Sequence, residues 1–445
     1  MELNTVQLLE LLLGRRYREA RNILDAMNAV DIEDLLEELD DKELAVAFRL
    51  IAKDKAADVF SKMNSSMQSY LVEVFTETEL KALLDQLFLD DTVDLLEDLP
   101  ANLVTRILET VETDKRYLIN KLLSYPADSA GSVMTPEFVG LRETNTVREA
   151  LAHIKETGIR SETIYICYVM QHRHLVGIVS AKDLMTSDDE TLIGQLMEQD
   201  IISVTTHTDQ EDVARLFKKY DFLALPVLDN TGLMVGIVTF DDVMKVMVDE
   251  TTEDMALMGA VTPSQKSYFE TGVLQHARNR IVWLLVLMVS ATFTGAIISH
   301  YQSAILAIPQ LVSFLPMLMD TGGNCGSQSS TLVIRGLALE EIRFRDLFKV
   351  VWKEFRVALL VSIVLAAANG IRIVLIYGDV LLASVVGLSL IVTIFIAKLV
   401  GCVLPMAAQK FHLDPAIMAA PLITTVVDAC SVLVYFLFST WLFGL

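Results

Sequence analysis

A polar, glycine-rich segment lies inside the most hydrophobic part of this 445-residue chain. Residues 316–330 read PMLMDTGGNCGSQSS and include Gly322, Gly323, Asn324 and Gln328. Irregular or polar backbone is tolerated at membrane depth only where protein buries it or water reaches it. Small residues alone would fit tight helix packing, but packing requires neither an Asn, a Gln nor several hydroxyls. The segment therefore indicates an ion pathway or a gate, with Asn324 and Gln328 one helical turn apart on the same face.

Asp428 is the second candidate for chemistry at membrane depth, because it lies near the middle of PLITTVVDACSVLVYFLF. A carboxylate there costs several kcal/mol unless it faces a partner or water. A structural role would pair it with Lys398 or Arg372 or bond it to a neighbouring helix. A functional role would make it a cation ligand. Ala420, Thr424 and Asp428 recur every four residues, which predicts a narrow small-and-polar stripe on an apolar helix.

Five apolar stretches are expected to cross the bilayer as helices and to position these residues. Each is about as long as a spanning helix requires. They cover residues 281–299, 304–320, 357–377, 381–408 and 416–442. The basic side chains fall in alternate connections, beginning with Arg278 and Arg280. The positive-inside rule then places the N-terminus in the cytoplasm and the C-terminus outside.

The two halves of the chain differ in charge. The formal net charge is −22, and residues 277–445 carry +3, so the first 276 residues carry −25. Such an acidic half disfavours a nucleic-acid partner and suits cations or a well-solvated surface. The four scattered cysteines predict neither a disulfide framework nor a zinc site. The N-terminus lacks a signal-peptide pattern, so the acidic half is expected in the cytoplasm.

Residues 1–128 read as successive amphipathic helices, because leucines recur at helical spacing beside acidic turns. This pattern predicts a short superhelical array. Most of its carboxylates fit a solvated face. Asp90 and Asp91, at an apparent turn, are the better cation candidates, and a solvated turn remains the alternative for them.

Residues 129–245 contain a duplicated α/β unit. LVGIVSAKDLM at 175–185 and LMVGIVTFDDVM at 233–244 are near copies, and each follows a strand-like run. The repeat resembles a tandem pair of CBS domains, at about 129–190 and 191–245.

Residues 246–276 continue as a connecting helix and linker toward the first span. It contains two like-charged pairs four residues apart, Asp249 with Glu253 and Glu250 with Asp254. Each pair lowers the stability of the helix by a few tenths of a kcal/mol. The segment is either an exposed acidic helix or a clamp that cations close.

Two membrane-domain segments together resemble the MgtE family of bacterial magnesium channels: P…DTGGNCGSQSSTLVIRG and DPAIMAAPLITTVVDA. The resemblance covers nearly the whole chain. It implies a homodimer whose pore forms at the dimer axis, with Asp428 of both subunits at a hydrated Mg²⁺ site. The family often has a polar residue where this chain has Ala420, so the ligands would come from Thr424 and backbone groups.

The same resemblance implies that cytoplasmic Mg²⁺ closes the pore by bridging acidic residues of the soluble domains. Lys245 departs from the family pattern, since it stands where an acid can occur. Beside Asp249 of the acidic connecting helix, the matching positions are Asp209, Glu211, Asp221, Asp242, Glu250, Glu253 and Asp254. Asp414, beside the last span, matches a residue that couples this region to the pore.

CBS pairs in some family members bind ATP. The positions that contact ATP in those members correspond here to Tyr165, Lys182, Asp183 and Phe222. Lys182 replaces an arginine. An aromatic side chain on a strand is equally compatible with a core role, so both readings stay open.

The sequence thus predicts a multi-domain protein: a helical regulatory domain (1–128), a CBS pair (129–245), a connecting helix (246–276) and a five-helix transmembrane domain (277–445). The expected function is Mg²⁺ transport across the bacterial inner membrane by a homodimer that is not an enzyme. Mg²⁺ is the expected ion, and ATP at the CBS pair is left open. The alternatives are a broader Co²⁺, Mn²⁺ or Zn²⁺ transporter and a CBS-regulated membrane sensor or enzyme.

Overall fold

The computed structural model of the chain describes residues 2–264, 268–269, 271–418 and 420–444. Residues 265–267 and 270, in the predicted linker, lie outside the described part. The chain divides into two compact units, Met1–Met247 and Val248–Leu445. Each unit has its own hydrophobic core.

Short helices make up the first part of the first unit, as the leucine spacing predicts. Side chains cap the starts of some of them: Asn64 accepts a hydrogen bond from a backbone N–H of the helix it precedes, and Thr76 forms a capping box with Glu79. The helices are α1 (Glu2–Leu13), α2 (Tyr17–Ala26), α3 (Ala29–Glu37), α4 (Asp41–Phe48), α5 (Lys53–Lys62), α6 (Ser65–Val74), α7 (Glu77–Leu84), α8 (Leu89–Asp98), α9 (Ala101–Thr110) and α10 (Thr113–Leu122).

The duplicated sequence forms two small sheets with the same topology. In each, the first strand pairs in parallel with the second, and the second pairs antiparallel with the third. The strands are β1 (Phe138–Leu141), β2 (Thr163–Gln171), β3 (His174–Ser180), β4 (Val204–Thr205), β5 (Ala224–Leu228) and β6 (Met234–Thr239). The helices are α11 (Val147–Thr157), α12 (Ala181–Thr186), α13 (Ile193–Leu196), α14 (Gln210–Tyr220) and α15 (Phe240–Met258).

One continuous core joins the helical part to the second α/β repeat. Leu84 and Leu96 of the helical part and Val238 and Val243 of the repeat belong to the same cluster of buried residues. A smaller cluster containing Tyr168 and Ile237 connects the two sheets. The acidic first turn of α8 is therefore held firmly against the α/β pair.

Five helices of 24 residues or more dominate the described part of the second unit. Four segments are long and apolar enough to cross a membrane: Val273–His300, Phe344–Tyr377, Val380–Lys410 and Pro415–Phe443. The fifth long helix carries the polar, glycine-rich segment. The helices are α16 (Val273–His300), α17 (Gln302–Ala307), α18 (Leu315–Ala338), α19 (Leu347–Tyr377), α20 (Val380–Lys410) and α21 (Ala420–Phe443).

The second apolar stretch differs from its prediction. The sequence predicts one helix over 304–320, whereas α17 ends at Ala307, a 3-10 turn spans Pro309–Phe314, and α18 begins at Leu315. Ile308 leaves the helical region because it precedes a proline. The shift places GGNCGSQSS inside a regular helix, where the backbone satisfies its own hydrogen bonds.

Candidate functional site

The glycines of α18 allow it to pack closely against α20 and α21. A methyl group at Gly322 would lie 2.8 Å from Thr393 and 2.9 Å from Ser431, and one at Gly323 would lie 2.9 Å from Thr424. Real Cβ atoms essentially never approach neighbours so closely, so a side chain at either position would force neighbouring side chains to shift. The close helix approach expected from the sequence is present, and it brings α18 beside Thr424.

A polar stripe occupies another face of α18. Asp320, Asn324 and Gln328 follow one another at intervals of four residues, and all three are exposed on the single chain. Asp320 lies inside the helix and not at its start, so it does not cap α18. An exposed carboxylate and two amides on a long helix of an apolar bundle require water, an ion or a second chain.

The predicted stripe on α21 starts at Ala420, the first residue of the helix. The hydroxyl of Thr424 donates to the carbonyl oxygen of Pro421 at 3.0 Å, and that of Thr425 donates to the same oxygen at 2.9 Å. The Thr424 hydroxyl proton is thus committed, while its oxygen can still accept or coordinate. Asp428 follows one turn later and is half-buried.

Asp428 does not use either of the cations that the sequence offered as partners. Lys398 pairs with Glu354 at 3.2 Å, and the Arg372 guanidinium lies 3.5 Å from the sulfur of Met317. The charged neighbour of Asp428 is instead the carboxylate of Asp320, which interacts with it electrostatically. Two like charges near one another at membrane depth favour a cation between or beside them.

A second candidate site lies in the first unit, around the first turn of α8. Asp90 is 8% exposed, and its Oδ1 has no hydrogen-bond partner. Glu162, just before β2, likewise has a buried Oε2 without a partner. Glu137 is also half-buried here and accepts a 2.8 Å hydrogen bond from the backbone N–H of Leu89. The structure thus brings carboxylates of the helical part and of the α/β pair together.

Burial and mutual repulsion hold these carboxyl groups in the protonated form at unusually high pH. Burial, with the charges of Asp242 and Glu162, raises the pKa of Asp90 well above its ordinary value. Burial, with Asp242 and Asp241, raises the pKa of Glu162 to about 8. Burial raises the pKa of Asp91 as well, against the opposing charge of Lys245. Buried carboxylates that repel one another therefore give this cluster an affinity for protons or for cations.

The outer part of the cluster contains its own cation. Lys245 on α15 lies 3.2 Å from Asp242, although more than half of its side chain reaches solvent. Burial alone would lower the pKa of Lys245, but Asp242 and Asp94 together raise it. At the exposed rim, desolvation by the surrounding protein raises the pKa of Asp94 to about 7, against the opposing charge of Lys245. Lys245 therefore offsets charge at the rim, while Lys115 on α10 interacts electrostatically with Asp90 and Glu137.

The other predicted acidic residues do not join this cluster. Asp209 caps α14 by accepting from the backbone N–H of Glu211 at 2.8 Å, and Glu211 pairs with Arg215 at 2.7 Å. Asp221 ends the same helix in the left-handed conformation, with φ 55°.

The predicted acidic residues of the second unit lie apart along the chain. Asp249, Glu250, Glu253 and Asp254 lie on the second half of α15. Asp414 accepts a 2.7 Å hydrogen bond from the backbone N–H of Ala416 and so caps the 3-10 turn that precedes α21.

Within the ranges that the structure describes, no group of three or more His, Cys, Asp or Glu side chains is arranged to ligate one metal ion.

The predicted nucleotide residues are spread over the α/β pair. Tyr165 on β2 is 66% exposed, and Lys182 on α12 is exposed as well. Asp183 accepts from the hydroxyl of Ser180, which caps α12. Phe222 stacks on Tyr220 with ring centroids 5.3 Å apart. Its ring therefore already has an aromatic partner in the chain.

Sequence reasoning missed Glu162, Asp94 and Glu354. Asp94 had a usable signal, since it lies four residues after Asp90 on the same helix. Glu162 and Glu354 had none, because their partners are distant along the chain.

Three models of known protein families match successive parts of the chain. The model of the MgtE family, described as a divalent cation transporter, matches residues 315–438. The MgtE intracellular N domain matches residues 27–128, and CBS domains match residues 130–190 and 193–249.

Relatives cover nearly the whole chain. The magnesium transporter MgtE of Thermus thermophilus is 36% identical over 425 residues, 94% of each chain, and that of Bacillus subtilis is 31% identical over 97% of this chain and 95% of its own. Among solved structures, the cytosolic domain of the Mg²⁺ channel MgtE in complex with ATP is 36% identical. It has a TM-score of 0.52 and covers 54% of this chain and 99% of its own.

A helical domain, a CBS pair and an apolar helical bundle with a polar, glycine-packed helix define a multi-pass membrane transporter with attached regulatory domains. More particularly, the chain belongs to the MgtE family. This family consists of transporters and not of enzymes, and the predicted fold class and family are both confirmed.

Proposed function

We propose that this chain is a magnesium-selective channel or transporter of the bacterial inner membrane, closed by intracellular Mg²⁺. The polar face formed by the α18 stripe and Asp428 carries the proposal. Mg²⁺ prefers oxygen ligands and gives up its water reluctantly. Asp320, Asn324, Gln328 and Asp428 offer carboxylate and amide oxygens that suit a hydrated ion.

The pathway forms between two copies of the chain. The α18 stripe is exposed on a single chain, and a two-fold axis beside it would face two stripes and two Asp428 carboxylates toward one another. Thr424 and the backbone carbonyls near Ala420 narrow the entrance, while Gly322 and Gly323 permit the helix approach. Two carboxylates attract a divalent ion without stripping its water, so the ion can also leave.

Intracellular Mg²⁺ closes this pathway through the acidic residues of the soluble domains. A cation beside Asp90, Asp91 and Asp242 relieves the repulsion between the helical domain and the CBS pair. Further weak sites use Asp209, Glu211, Asp221, Asp249, Glu250, Glu253, Asp254 and Asp414. A site that binds only the closed state stabilises it by about 1.4 kcal/mol at roughly ten times its Kd. About four such sites supply the ~5.5 kcal/mol that moves a gate from 1:99 to 99:1.

The N-terminus and the acidic domains lie in the cytoplasm, and the C-terminus lies outside, because the basic residues flank alternate membrane helices. ATP binds the CBS pair beside Tyr165, Lys182 and Asp183, with Phe222 nearby. The relative whose cytosolic domain was solved with ATP supports this part of the proposal.

A broader divalent-cation transporter is the second candidate. Its supporting observation is Cys430, two residues after Asp428 and only half-buried, because a thiolate would favour Co²⁺ or Zn²⁺. Competition in the flux assay separates the two: a magnesium-selective pathway carries Mg²⁺ unchanged in equimolar Co²⁺, whereas a broad one loses much of its flux.

Mg²⁺ flux into proteoliposomes containing the full chain tests the proposal. Asp428→Asn should abolish most of the flux, because the amide keeps the shape but removes the charge. Asp379→Asn is the matched control: Asp379 caps α20 by accepting from the N–H of Leu382, and Asn caps a helix equally well. Equal flux through both variants would refute the pathway assigned to Asp428.

The closing step has its own assay. Proteolysis of residues 245–262 should slow as Mg²⁺ rises, because a closed assembly protects the connecting helix. Cleavage that ignores Mg²⁺ would count against the regulatory sites while leaving the pathway untouched.

A further inference from the structure

A buried ionic network connects three of the long helices behind the polar stripe. Lys398 on α20 lies 3.2 Å from the Glu354 carboxylate on α19, and it donates to the Ser329 hydroxyl on α18 at 3.0 Å. The Ser329 hydroxyl in turn donates to Glu354 at 2.7 Å. The side chains of Lys398 and Glu354 are 7% and 13% exposed, and Ser329 is 1% exposed. The three groups therefore satisfy one another away from water.

Such a network is an expensive way to join helices. Removing two charges from water costs several kcal/mol for each ion, and well-packed apolar side chains often stabilise a core as well or better. An intramembrane ion pair consequently suggests a role in specifying one arrangement rather than in adding stability. A closed triangle of hydrogen bonds fits that role, because each bond weakens if any helix turns or slides.

The network acts on α18 at a position that matters for the stripe. Ser329 directly follows Gln328, the last amide of the stripe, but points into the bundle. Three residues earlier, Gly326 contacts α20 at Gly401, where any methyl group would overlap the Gly326 carbonyl oxygen. The glycine contact brings α18 and α20 together but permits rotation, since it has no side chain to interlock. The Ser329 hydroxyl supplies the missing rotational constraint.

We propose that Ser329, Glu354 and Lys398 position the ion pathway by fixing the rotation of α18, so that Asp320, Asn324 and Gln328 present their oxygens to the same ion. The network also keeps the net charge behind the stripe at zero, which prevents an uncompensated ammonium from repelling a divalent cation across the helix. The inference rests on the proposed transport function but concerns different residues from the pathway itself.

The decisive variant is Ser329→Ala, which keeps the ion pair and removes its tie to α18. Ser389→Ala is the matched control, because Ser389 is equally buried on α20 and its hydroxyl donates to a carbonyl of its own helix, at Val385. We expect Ser329→Ala to lower Mg²⁺ flux in proteoliposomes about tenfold, and to admit more monovalent cation per Mg²⁺, because a site must be held within about 0.5 Å. The thermal midpoint should stay near that of the control.

The double variant Glu354→Leu/Lys398→Met supplies a second measurement, because it removes both charges and every hydrogen-bond partner that Ser329 finds on α19 and α20. It should melt at a higher temperature than either single variant, since each single change leaves one buried charge unpaired. Its flux and selectivity should nevertheless resemble those of Ser329→Ala, because α18 has lost its anchor. If the double variant does not fold, Ser329→Ala decides alone.

Wild-type flux and selectivity in Ser329→Ala would overturn the inference, whatever the double variant does. Asp428→Asn distinguishes this failure from failure of the proposed function: loss of flux there, with normal flux in Ser329→Ala, removes only the network. Normal flux in both removes the assigned pathway as well.

Discussion

Replacing Gly401 by alanine should disrupt the contact between α18 and α20. The new Cβ would overlap the carbonyl oxygen of Gly326 and lie 3.1 Å from its carbonyl carbon. Neither atom belongs to a flexible side chain, so relief requires the two helix backbones to separate by several tenths of an ångström. Overpacking of this kind costs about 1–3 kcal/mol. The separation would also lengthen the bonds of the Ser329 network.

Gly387→Ala on the same helix is the control, because a Cβ at Gly387 meets nothing within 4 Å. Alanine is intrinsically better than glycine in a helix by about 1 kcal/mol, so this variant should be at least as stable as the wild type. The same propensity gain applies to Gly401→Ala, so the two variants should differ by the overpacking cost alone, about 1–3 kcal/mol. For a unit of this size that corresponds to roughly 2–12 °C in the thermal midpoint.

The assay is thermal unfolding of the purified full chain in detergent, followed by intrinsic fluorescence, with Mg²⁺ flux measured on the same preparations. Gly401→Ala should melt well below Gly387→Ala and should also lose flux. Equal melting temperatures would refute the backbone contact between α18 and α20 and the geometry derived from it.

Three further predictions concern the acidic cluster of the first unit. Asp90→Asn should leave the Mg²⁺-free protein at least as stable as the wild type, but Mg²⁺ should raise its melting temperature less. For the wild type the stabilisation by Mg²⁺ is about 2.7 kcal/mol at 100 times Kd. The exposed control Asp85→Asn should retain the full Mg²⁺-induced shift, and an unchanged shift in Asp90→Asn would contradict the site. Because the pKa of Glu162 is raised to about 8, the folded Mg²⁺-free protein holds a proton that the unfolded chain releases near pH 4.5, so its stability should fall as pH rises from about 4.5 to 8. Mg²⁺ must displace that proton to bind at Glu162. Isothermal titration calorimetry should therefore show the Mg²⁺ affinity rising by at most about fifty-fold between pH 6 and 8. A Mg²⁺ affinity independent of pH would exclude Glu162 from the site. Lys245→Met removes the built-in cation beside Asp242, so equilibrium dialysis should find more Mg²⁺ bound per chain, and an unchanged number would mean that the ammonium does not substitute for an ion.

The sequence predicted relations within single elements well. Asn324 and Gln328 fall on one exposed face because both lie on one helix, where the spacing of four residues fixes their direction. The duplicated strand and helix pattern of residues 129–245 likewise determined two sheets of the same topology. The error at residues 304–320 was one of boundaries: hydrophobicity continues through Pro309, but the helix does not.

Only the tertiary structure decided which distant groups meet. Lys398 stood in the sequence as a partner for Asp428, yet it bonds to Glu354, 44 residues away on another helix. Asp90 and Glu162 share one cluster because a common core joins the helical domain to the second α/β repeat, which no periodicity encodes. Spacing along one element fixes the direction of a side chain, but the partner it finds depends on how several elements pack. The sequence by itself determined the order of domains and the polar faces, and packing decided which charges those faces share.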